Sequence, residues 1–187
     1  MTGYDFDKTI FDGDSSTRFF VYMILHRPYL LVFAPYFLVV LALYAIKIVS
    51  KKKVKELLFF FVPWHKNIDK IVNKFWQKNA NRVFDWYCAQ KKDDDLIISA
   101  SLDFLLKPIM ETLAIKNWMS TKYNVKTGKI DGENCYGEEK LRRFNAEYKD
   151  VKLDAFYSDS MSDLPMMKVA DKAFLVKGKN VKKIKVK

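Results

Sequence analysis

Residues 4–10 read Tyr-Asp-Phe-Asp-Lys-Thr-Ile, and this short stretch decides the fold. It places two carboxylates, Asp5 and Asp7, on either side of one aromatic residue. On a strand over residues 2–7, this spacing predicts both acids on one face and Phe6 in the core. Two acids this close repel each other, so the pair indicates a cation or phosphoryl group between them and a shared proton. An isolated Asp-x-Asp pair also occurs at ordinary polar strand ends, so other segments have to decide.

Three further segments combine apolar runs with polar ends. Residues 96–101, Leu-Ile-Ile-Ser-Ala-Ser, end in hydroxyls and are followed by a helix-like stretch at 102–106. Residues 137–140, Gly-Glu-Glu-Lys, place Lys140 at a helix start, and residues 155–166 form a second apolar strand that ends in acids. Strands that alternate with helices predict a mainly parallel sheet, whose site lies at the carboxyl ends of its strands. All four segments fall at that edge.

In this order the four segments resemble the four motifs of the haloacid dehalogenase-like superfamily. The form Ser-Asp-Ser-x-x-Asp-Leu-Pro-Met at residues 158–166 is similar to its phosphoserine-phosphatase-like branch, subfamily IB. The resemblance implies an α/β fold, a three-layer Rossmann-like core with a mainly parallel sheet, and an α-helical cap inserted after the first strand. Residues 1–14 and 85–187 would form the catalytic core, and residues 15–84 would form an apolar cap.

The resemblance also implies a role for each acid. Asp5 would be the nucleophile that takes the phosphoryl group as an aspartyl-phosphate. Asp7 would protonate the leaving alkoxide and then activate water. Mg²⁺ prefers hard oxygen ligands, so Asp5, the backbone carbonyl of Asp7 and Asp159 would be its metal ligands. Asp163 would stand behind this set or orient the lysine of the site.

Three residues would serve the phosphate. Ser99 would hydrogen-bond a phosphoryl oxygen, Lys140 would neutralise charge there, and Thr9 would support the turn beside them. Ser101 stays an alternative to Ser99. Lys8 departs from the family pattern, which often has glycine at this position, and this departure bears on specificity more than on catalysis.

Each of these residues also has a plain structural explanation. Either serine could cap a helix, Lys140 could be a surface lysine, and Asp163 could cap the helix that begins at Leu164 and Pro165. Separate structural roles do not explain why all of them lie at strand ends. The joint pattern therefore favours one site.

The composition limits the class of partner. A chain of 187 residues, half of them apolar, suffices for one α/β core with a modest insertion. The net charge of +11 favours anionic partners such as phosphorylated substrates and anionic lipid surfaces. No nucleic-acid signature is present.

The two cysteines, Cys88 and Cys135, lack metal-ligand spacing and predict reduced thiols in a cytoplasm. The two histidines, His26 and His65, leave little for a serine triad or a zinc site.

The insertion contains an uncharged run at residues 29–46, which as one helix would be about 27 Å long, close to the thickness of a bilayer core. Site residues lie on both sides of this run, and basic residues flank it at Arg27, Lys47 and 51–53, so one crossing is not expected. The run is either a re-entrant or interfacial hairpin bent near Pro35 or a buried helix pair of a soluble cap. In the first case the lysines would lie at headgroup level.

An apolar cap with basic flanks is similar to the membrane-associated phosphatidylglycerophosphate phosphatases of the same branch. We therefore predict a Mg²⁺-dependent phosphatase with an aspartyl-phosphate intermediate, for which a lipid phosphate such as phosphatidylglycerophosphate is a candidate substrate. One alternative is a soluble phosphoserine-like small-molecule phosphatase, in which Asp14 would bind the amine and Arg18 or Arg27 the carboxylate. Another is a non-catalytic basic membrane-surface protein that retains the fold.

The acidic start predicts no ordinary secretory signal, so a cytoplasmic protein is expected, either free or peripheral or re-entrant on the cytoplasmic face of a membrane. A homodimer through the apolar cap remains open.

The lysines between residues 177 and 187 predict a solvated basic end. Helical periodicity predicts an amphipathic helix over residues 68–76, and residues 126–129 predict a hairpin turn.

Overall fold

A six-stranded sheet forms the centre of the protein in the computed structural model, which describes residues 1–149 and 151–186. The strands are β1 (Thr2–Tyr4), β2 (Leu96–Leu102), β3 (Asn117–Thr121), β4 (Tyr123–Asn124), β5 (Lys129–Ile130), β6 (Ala155–Ser158), β7 (Ala173–Lys177) and β8 (Asn180–Ile184). The sheet order is β3-β2-β1-β6-β7-β8, in which only β8 is antiparallel to its neighbour. β4 and β5 form the predicted hairpin.

Helices cover both faces of this sheet. They are α1 (Ser15–His26), α2 (Ala34–Ala45), α3 (Lys51–Leu58), α4 (Ile68–Asn79), α5 (Asp85–Gln90), α6 (Asp103–Thr112), α7 (Glu138–Glu147) and α8 (Leu164–Lys168). Alternate residues of β2 enter two separate buried clusters, Ile97 with α4 and α6, and Leu96 and Ile98 with α7 and α8. The predicted three-layer α/β fold with a mainly parallel sheet is confirmed.

The first strand ends at Tyr4, earlier than the predicted residue 7. The reason is a tight turn, in which the Phe6 carbonyl accepts hydrogen bonds from three amides between residues 9 and 11. Phe6 is fully buried, as predicted. Lys8 lies in this turn at φ 57°, a left-handed conformation that costs an L-residue about 1–2 kcal/mol. This conformation explains physically why glycine suits the position.

Helices α1 to α4 all fall within residues 15–84, and α4 is the predicted amphipathic helix. Asp14 caps α1, because its carboxylate accepts a hydrogen bond from the amide of Thr17 at 2.7 Å. The rings of Phe19 and Phe59 stack within the insertion, and Phe19 also meets Phe104 of α6 edge-on. One buried cluster therefore continues from the insertion to the sheet. The division into a core and a cap stays a prediction.

The uncharged run is helical along most of its length, but it consists of two kinds of helix. A 3-10 helix, Pro28–Phe33, precedes α2, and Pro35 lies in the first turn of α2, where proline is tolerated. Residues 28–45 have a mean hydropathy of 2.0, enough by length and composition to cross a membrane, but only 17% of them are buried. Leu38 and Val39 are well exposed. The described monomer therefore does not bury this run as a core helix pair.

The carboxyl end contains a strand that the sequence did not predict. Charge suggested a solvated tail, but β8 pairs with β7 across a tight turn at Gly178, which has φ 60°. Lys182 and Lys183 point to solvent from this strand. Lysines on an edge strand discourage pairing with further strands, and they also hide the strand pattern in the sequence. Lys187, the last predicted tail lysine, lies outside the described residues.

Candidate active site

A cavity of about 500 Å³ lies at the carboxyl ends of the parallel strands. It brings together most of the site residues predicted from the sequence. They come from distant parts of the chain, namely the turn after β1, β2 itself, α7 and the segment after β6. Those that line the cavity are Asp5, Asp7, Ser99, Lys140, Asp159 and Asp163, together with the alternative Ser101. Thr9, Arg18 and Arg27 were also predicted as site residues, and they do not line it.

Lys140 is the electrostatic centre of the cavity. Its Nζ donates to Asp5 Oδ1 and to Asp163 Oδ2, both at 2.7 Å, and the side chain is only 2% exposed. Burial alone would lower the pKa of Lys140, but the two carboxylates outweigh it and the net shift is upward. Lys140 therefore stays a cation, and it is not a surface lysine.

Burial also raises the pKa of Asp5 to about 7, although the ammonium of Lys140 acts in the opposite direction. Asp163 accepts a further bond from Ser158 at 2.8 Å, while its Oδ1 is buried without a partner among the described residues. Its side chain makes no capping hydrogen bond to the helix that follows. Asp163 thus holds Lys140 beside Asp5.

Asp7 is held from two sides. Its Oδ1 accepts a hydrogen bond from the amide of Ser15 at 2.7 Å, and its Oδ2 accepts one from the hydroxyl of Ser101 at 2.5 Å. Burial raises the pKa of Asp7 to about 6, and the Asp14 charge adds to this effect. A carboxyl group with this pKa can both give and take a proton near neutral pH.

The two candidate serines differ in what their hydroxyl groups do. The Ser101 hydroxyl donates to Asp7 and also contacts Ser15 and Ser16 at 3.0 and 3.1 Å. The Ser99 hydroxyl accepts from the amide of Ser101 at 3.1 Å, and its own proton has no acceptor among the described residues. Ser99 therefore has a donor available for a ligand in the cavity.

Thr9 has a supporting position instead of a phosphate-facing one. It is fully buried, and its Oγ1 accepts a hydrogen bond from the amide of Asp159 at 2.9 Å. This bond joins the turn after β1 to the loop after β6. Thr9 thereby fixes the backbone that carries Asp159, whose own pKa is raised by burial.

No group of three His, Cys, Asp or Glu side chains forms a ready-made metal cage in the described chain. The predicted magnesium set does not need one, since it uses the carboxylates of Asp5 and Asp159 and a backbone carbonyl. Mg²⁺ usually keeps several waters and takes one or two carboxylates together with substrate phosphate. Asp5 gives only Oδ1 to Lys140, which leaves its second oxygen for such an ion. The donor set therefore fits magnesium.

The insertion supplies the other wall of the cavity. Aliphatic and aromatic side chains dominate this wall, and two lysines of α3, Lys51 and Lys55, stand at its edge. Sequence reasoning missed Lys55, although its i, i+4 spacing from Lys51 indicates a shared helix face. Arg18 and Arg27, the predicted carboxylate binders, are absent from the lining, whereas Asp14 is present. The apolar members are Phe20, Leu41, Tyr44, Val54, Leu58 and Phe59.

A parallel α/β sheet with paired acids and a buried lysine at its carboxyl edge defines a class of α/β hydrolytic enzymes. The family model for haloacid dehalogenase-like hydrolases matches residues 2–168. The chain belongs to this family, as the four motifs predicted.

A curated relative, a probable phosphatase of Mycobacterium tuberculosis, is 33% identical over 90 residues. That match covers 44% of this chain and 31% of the relative, so the chain spans less than a third of the relative's length. A protein of unknown function from Bordetella pertussis has a similar structure, with a TM-score of 0.75 at 16% identity over 92% of this chain and 87% of that chain.

A phosphoserine phosphohydrolase-like protein from Francisella tularensis shares the fold with a TM-score of 0.57 at 19% identity, over 92% of this chain and 86% of that chain. At these identities, the likeness to both solved structures concerns the fold.

Proposed function

We propose that this protein is a Mg²⁺-dependent phosphatase that hydrolyses a phosphate monoester through an aspartyl-phosphate on Asp5. One observation carries the proposal: Lys140 bridges Asp5 and Asp163 at 2.7 Å each, inside the cavity that Asp7 and Ser99 also line. Phosphate esters are so inert that a site acting on them needs a nucleophile, positive charge and an acid together. A protein that merely kept the fold would have no chemical need for this arrangement.

The reaction has two steps. In the first, a carboxylate oxygen of Asp5 attacks phosphorus, the bond to the ester oxygen breaks, and Asp7 gives its proton to the departing alkoxide. In the second, Asp7 takes a proton from water, the oxygen of that water attacks phosphorus, and Asp5 is released with inorganic phosphate. Ser99 and Lys140 hold the phosphoryl oxygens throughout. Mg²⁺, when bound, would neutralise phosphate charge beside Asp5 and Asp159.

The walls of the cavity favour a lipid phosphate, such as phosphatidylglycerophosphate, over an amino-acid phosphate. The apolar side chains supplied by the insertion suit the start of an acyl chain. A soluble phosphoserine-like substrate would need a cation for its carboxylate, and the predicted Arg18 and Arg27 do not line the cavity. Of the lysines on the insertion side, Lys51 lies over the Tyr136 ring and Lys55 donates to Ala100 and Asn134, so the preference for a lipid phosphate rests on the apolar wall. Asp14 could still meet an amine, but it already caps α1.

Phosphate release from a panel of esters tests this function. We expect hydrolysis that requires Mg²⁺ and stops with a chelator, with the highest kcat/KM for a lipid phosphate in detergent micelles. Amino-acid, sugar and nucleotide phosphates serve as the comparison. A preference for phosphoserine would establish the soluble alternative. Absence of hydrolysis of every ester would contradict the enzyme assignment and leave the non-catalytic protein.

We also propose that the exposed run over residues 28–46 lies in the interface of an anionic membrane on its cytoplasmic face. Leu38 is 68% exposed and Val39 56%, and no charged residue interrupts this surface. A soluble monomer rarely exposes so large an apolar patch. Leu41 and Tyr44 on the same helix line the cavity, so a lipid headgroup would be close to the site.

The charges available for anionic lipid differ from those predicted. Lys52 pairs with Glu133 at 3.1 Å, and Lys51 lies 3.3 Å from the ring centroid of Tyr136. Lys53, although exposed, pairs with Glu56 at 3.3 Å. Lys47 is then the exposed cation next to α2 that has no such partner among the described residues. The apolar surface, more than a lysine cluster, therefore supports membrane binding.

Vesicle flotation tests the membrane proposal. We expect the protein to float with anionic vesicles, and Leu38→Glu or Val39→Glu to weaken binding at least about tenfold, since each replaces an exposed apolar side chain that would enter the interface with a charged one. Val181→Glu on β8 is the matched control and should float normally. If the wild-type protein does not float, and light scattering shows a dimer that Leu38→Glu dissociates, this surface is instead the interface with a second copy of the chain.

A further inference from the structure

The strand that carries the phosphate-facing serine is irregular where that serine lies. The parallel pairing of β2 with β3 shifts register between Ile98 and Leu102, so the residues between them have no regular partners. The carbonyl of Ala100, between the two serines, accepts hydrogen bonds from two side chains. One is the Thr121 hydroxyl at 2.7 Å, and the other is Lys55 Nζ at 2.5 Å.

These donors belong to a connected network. Asn134 Oδ1 accepts from Lys55 at 2.7 Å, and it lies 3.0 Å from the Thr121 hydroxyl, whose single proton is shared between Asn134 and Ala100. The amide of Cys135 in turn donates to the Thr121 hydroxyl at 3.0 Å. Lys55 is the member of this network that comes from the insertion, and it bridges 45 residues of sequence to Ala100. The network therefore connects α3 to the irregular end of β2.

Lys55 is also placed to act as a cation. Burial lowers its pKa to about 8, while the charges of Asp7 and Asp14 act against that fall. Cys135 and Lys51 are the other titratable groups that face it. An ammonium group has three donors, of which Ala100 and Asn134 take two, and charged hydrogen bonds are stronger than neutral ones.

We propose that Lys55 is a positioning residue for phosphate binding, which holds the interrupted end of β2 through the Ala100 carbonyl and so places Ser99 and Ser101. Ser101 donates a hydrogen bond to Asp7, so the contact between Lys55 and Ala100 also sets the distance between Asp7 and the end of β2. The consequence is that α3 must be docked for the phosphate-binding end of β2 to form. This inference rests on the proposed phosphatase function.

Steady-state kinetics of Lys55→Met tests the proposal. We expect kcat/KM for 4-nitrophenyl phosphate to fall about 10- to 100-fold, the range for loss of a charged hydrogen bond, with weaker inhibition by inorganic phosphate. Lys52→Met is the matched control, since Lys52 also joins α3 to the core, through Glu133. Equal losses in the two variants would reduce Lys55 to a general docking contact and overturn the proposal.

A double-mutant cycle distinguishes placement of Ser99 by Lys55 from a general structural role of Lys55. If Lys55 acts by placing Ser99, Lys55→Met should cost little further activity once Ser99 is alanine, whereas independent effects would multiply. Multiplying effects refute the proposal. Thr121→Val, which removes the second donor to Ala100, should show the same coupling with a smaller loss, and it replaces Lys55→Met if that variant does not fold.

Hydrogen exchange separates this inference from the phosphatase proposal, because it needs no activity. Amides of residues 96–102 should exchange faster in Lys55→Met than in the wild-type protein, while residues 155–158 of β6 stay protected. If the wild-type protein hydrolyses no ester but this exchange pattern appears, the phosphatase proposal fails and the placement of β2 by Lys55 stands. Unchanged exchange over residues 96–102 overturns the placement.

Discussion

Phosphate release is expected to fall at least about 10⁴-fold in Asp5→Asn, because the amide lacks the charged oxygen that attacks phosphorus. The substitution keeps the size of the side chain and its acceptor for Lys140, so the fold should persist. Phosphate release from the preferred ester and circular dichroism measure the two effects. Beryllium fluoride trapping followed by mass spectrometry should mark Asp5 in the wild-type protein.

Asp7→Asn provides the matched comparison. With a good leaving group such as 4-nitrophenolate, the first step needs little help from an acid, so the variant should still accumulate the phosphorylated protein and then hydrolyse it slowly. A phosphoryl group found on any residue other than Asp5, or full activity in Asp5→Asn, would disprove the assignment of the nucleophile.

Lys140→Met is expected to lower the free energy of unfolding by about 3–5 kcal/mol, the usual cost of leaving a buried charge without its partner. Asp5 and Asp163 would both lose the ammonium that lies between them. Activity should be lost as well, because the phosphoryl oxygens lose the same charge. Urea denaturation followed by fluorescence measures the first effect.

Arg142→Met on the same helix is the control for this prediction. Arg142 pairs with Glu139 at 2.6 Å, but its side chain is exposed, and exposed pairs contribute only about 0–1 kcal/mol. A stability loss in Lys140→Met no greater than that in Arg142→Met would mean that Lys140 is solvated and does not form the buried bridge.

The sheet and the residues at its edge were predictable for a definite physical reason. Apolar runs that end in polar residues are easy to recognise in a sequence, and the carboxyl ends of parallel strands lie at one edge of the sheet. Asp5, Ser99 and Asp159 follow this pattern, and together with Lys140 at a helix start they line one cavity. Pro35 likewise marks the point in the uncharged run where the 3-10 helix ends and α2 begins, since proline is tolerated in the first turn of a helix.

The misses share a different cause, namely dependence on contacts distant in sequence. The amide that donates to Thr9 belongs to Asp159, and no local pattern encodes a partner 150 residues away. β8 becomes a strand only because β7 offers a free edge. In the sequence Lys55 resembles the neighbouring surface lysines. Its contact with Ala100 forms only in the folded protein, where α3 packs beside β2.

The aromatic cluster shared by the insertion and the sheet limits how the protein can change its substrate. Phe59 lines the cavity and stacks on Phe19, which in turn packs against Phe104 beneath the sheet. A smaller residue at position 59 would widen the pocket, but it would also remove packing from the core, where loss of a phenylalanine costs about 3–5 kcal/mol. Evolution of a new substrate range in this chain is therefore constrained by stability, and compensating changes elsewhere in the core would have to come first.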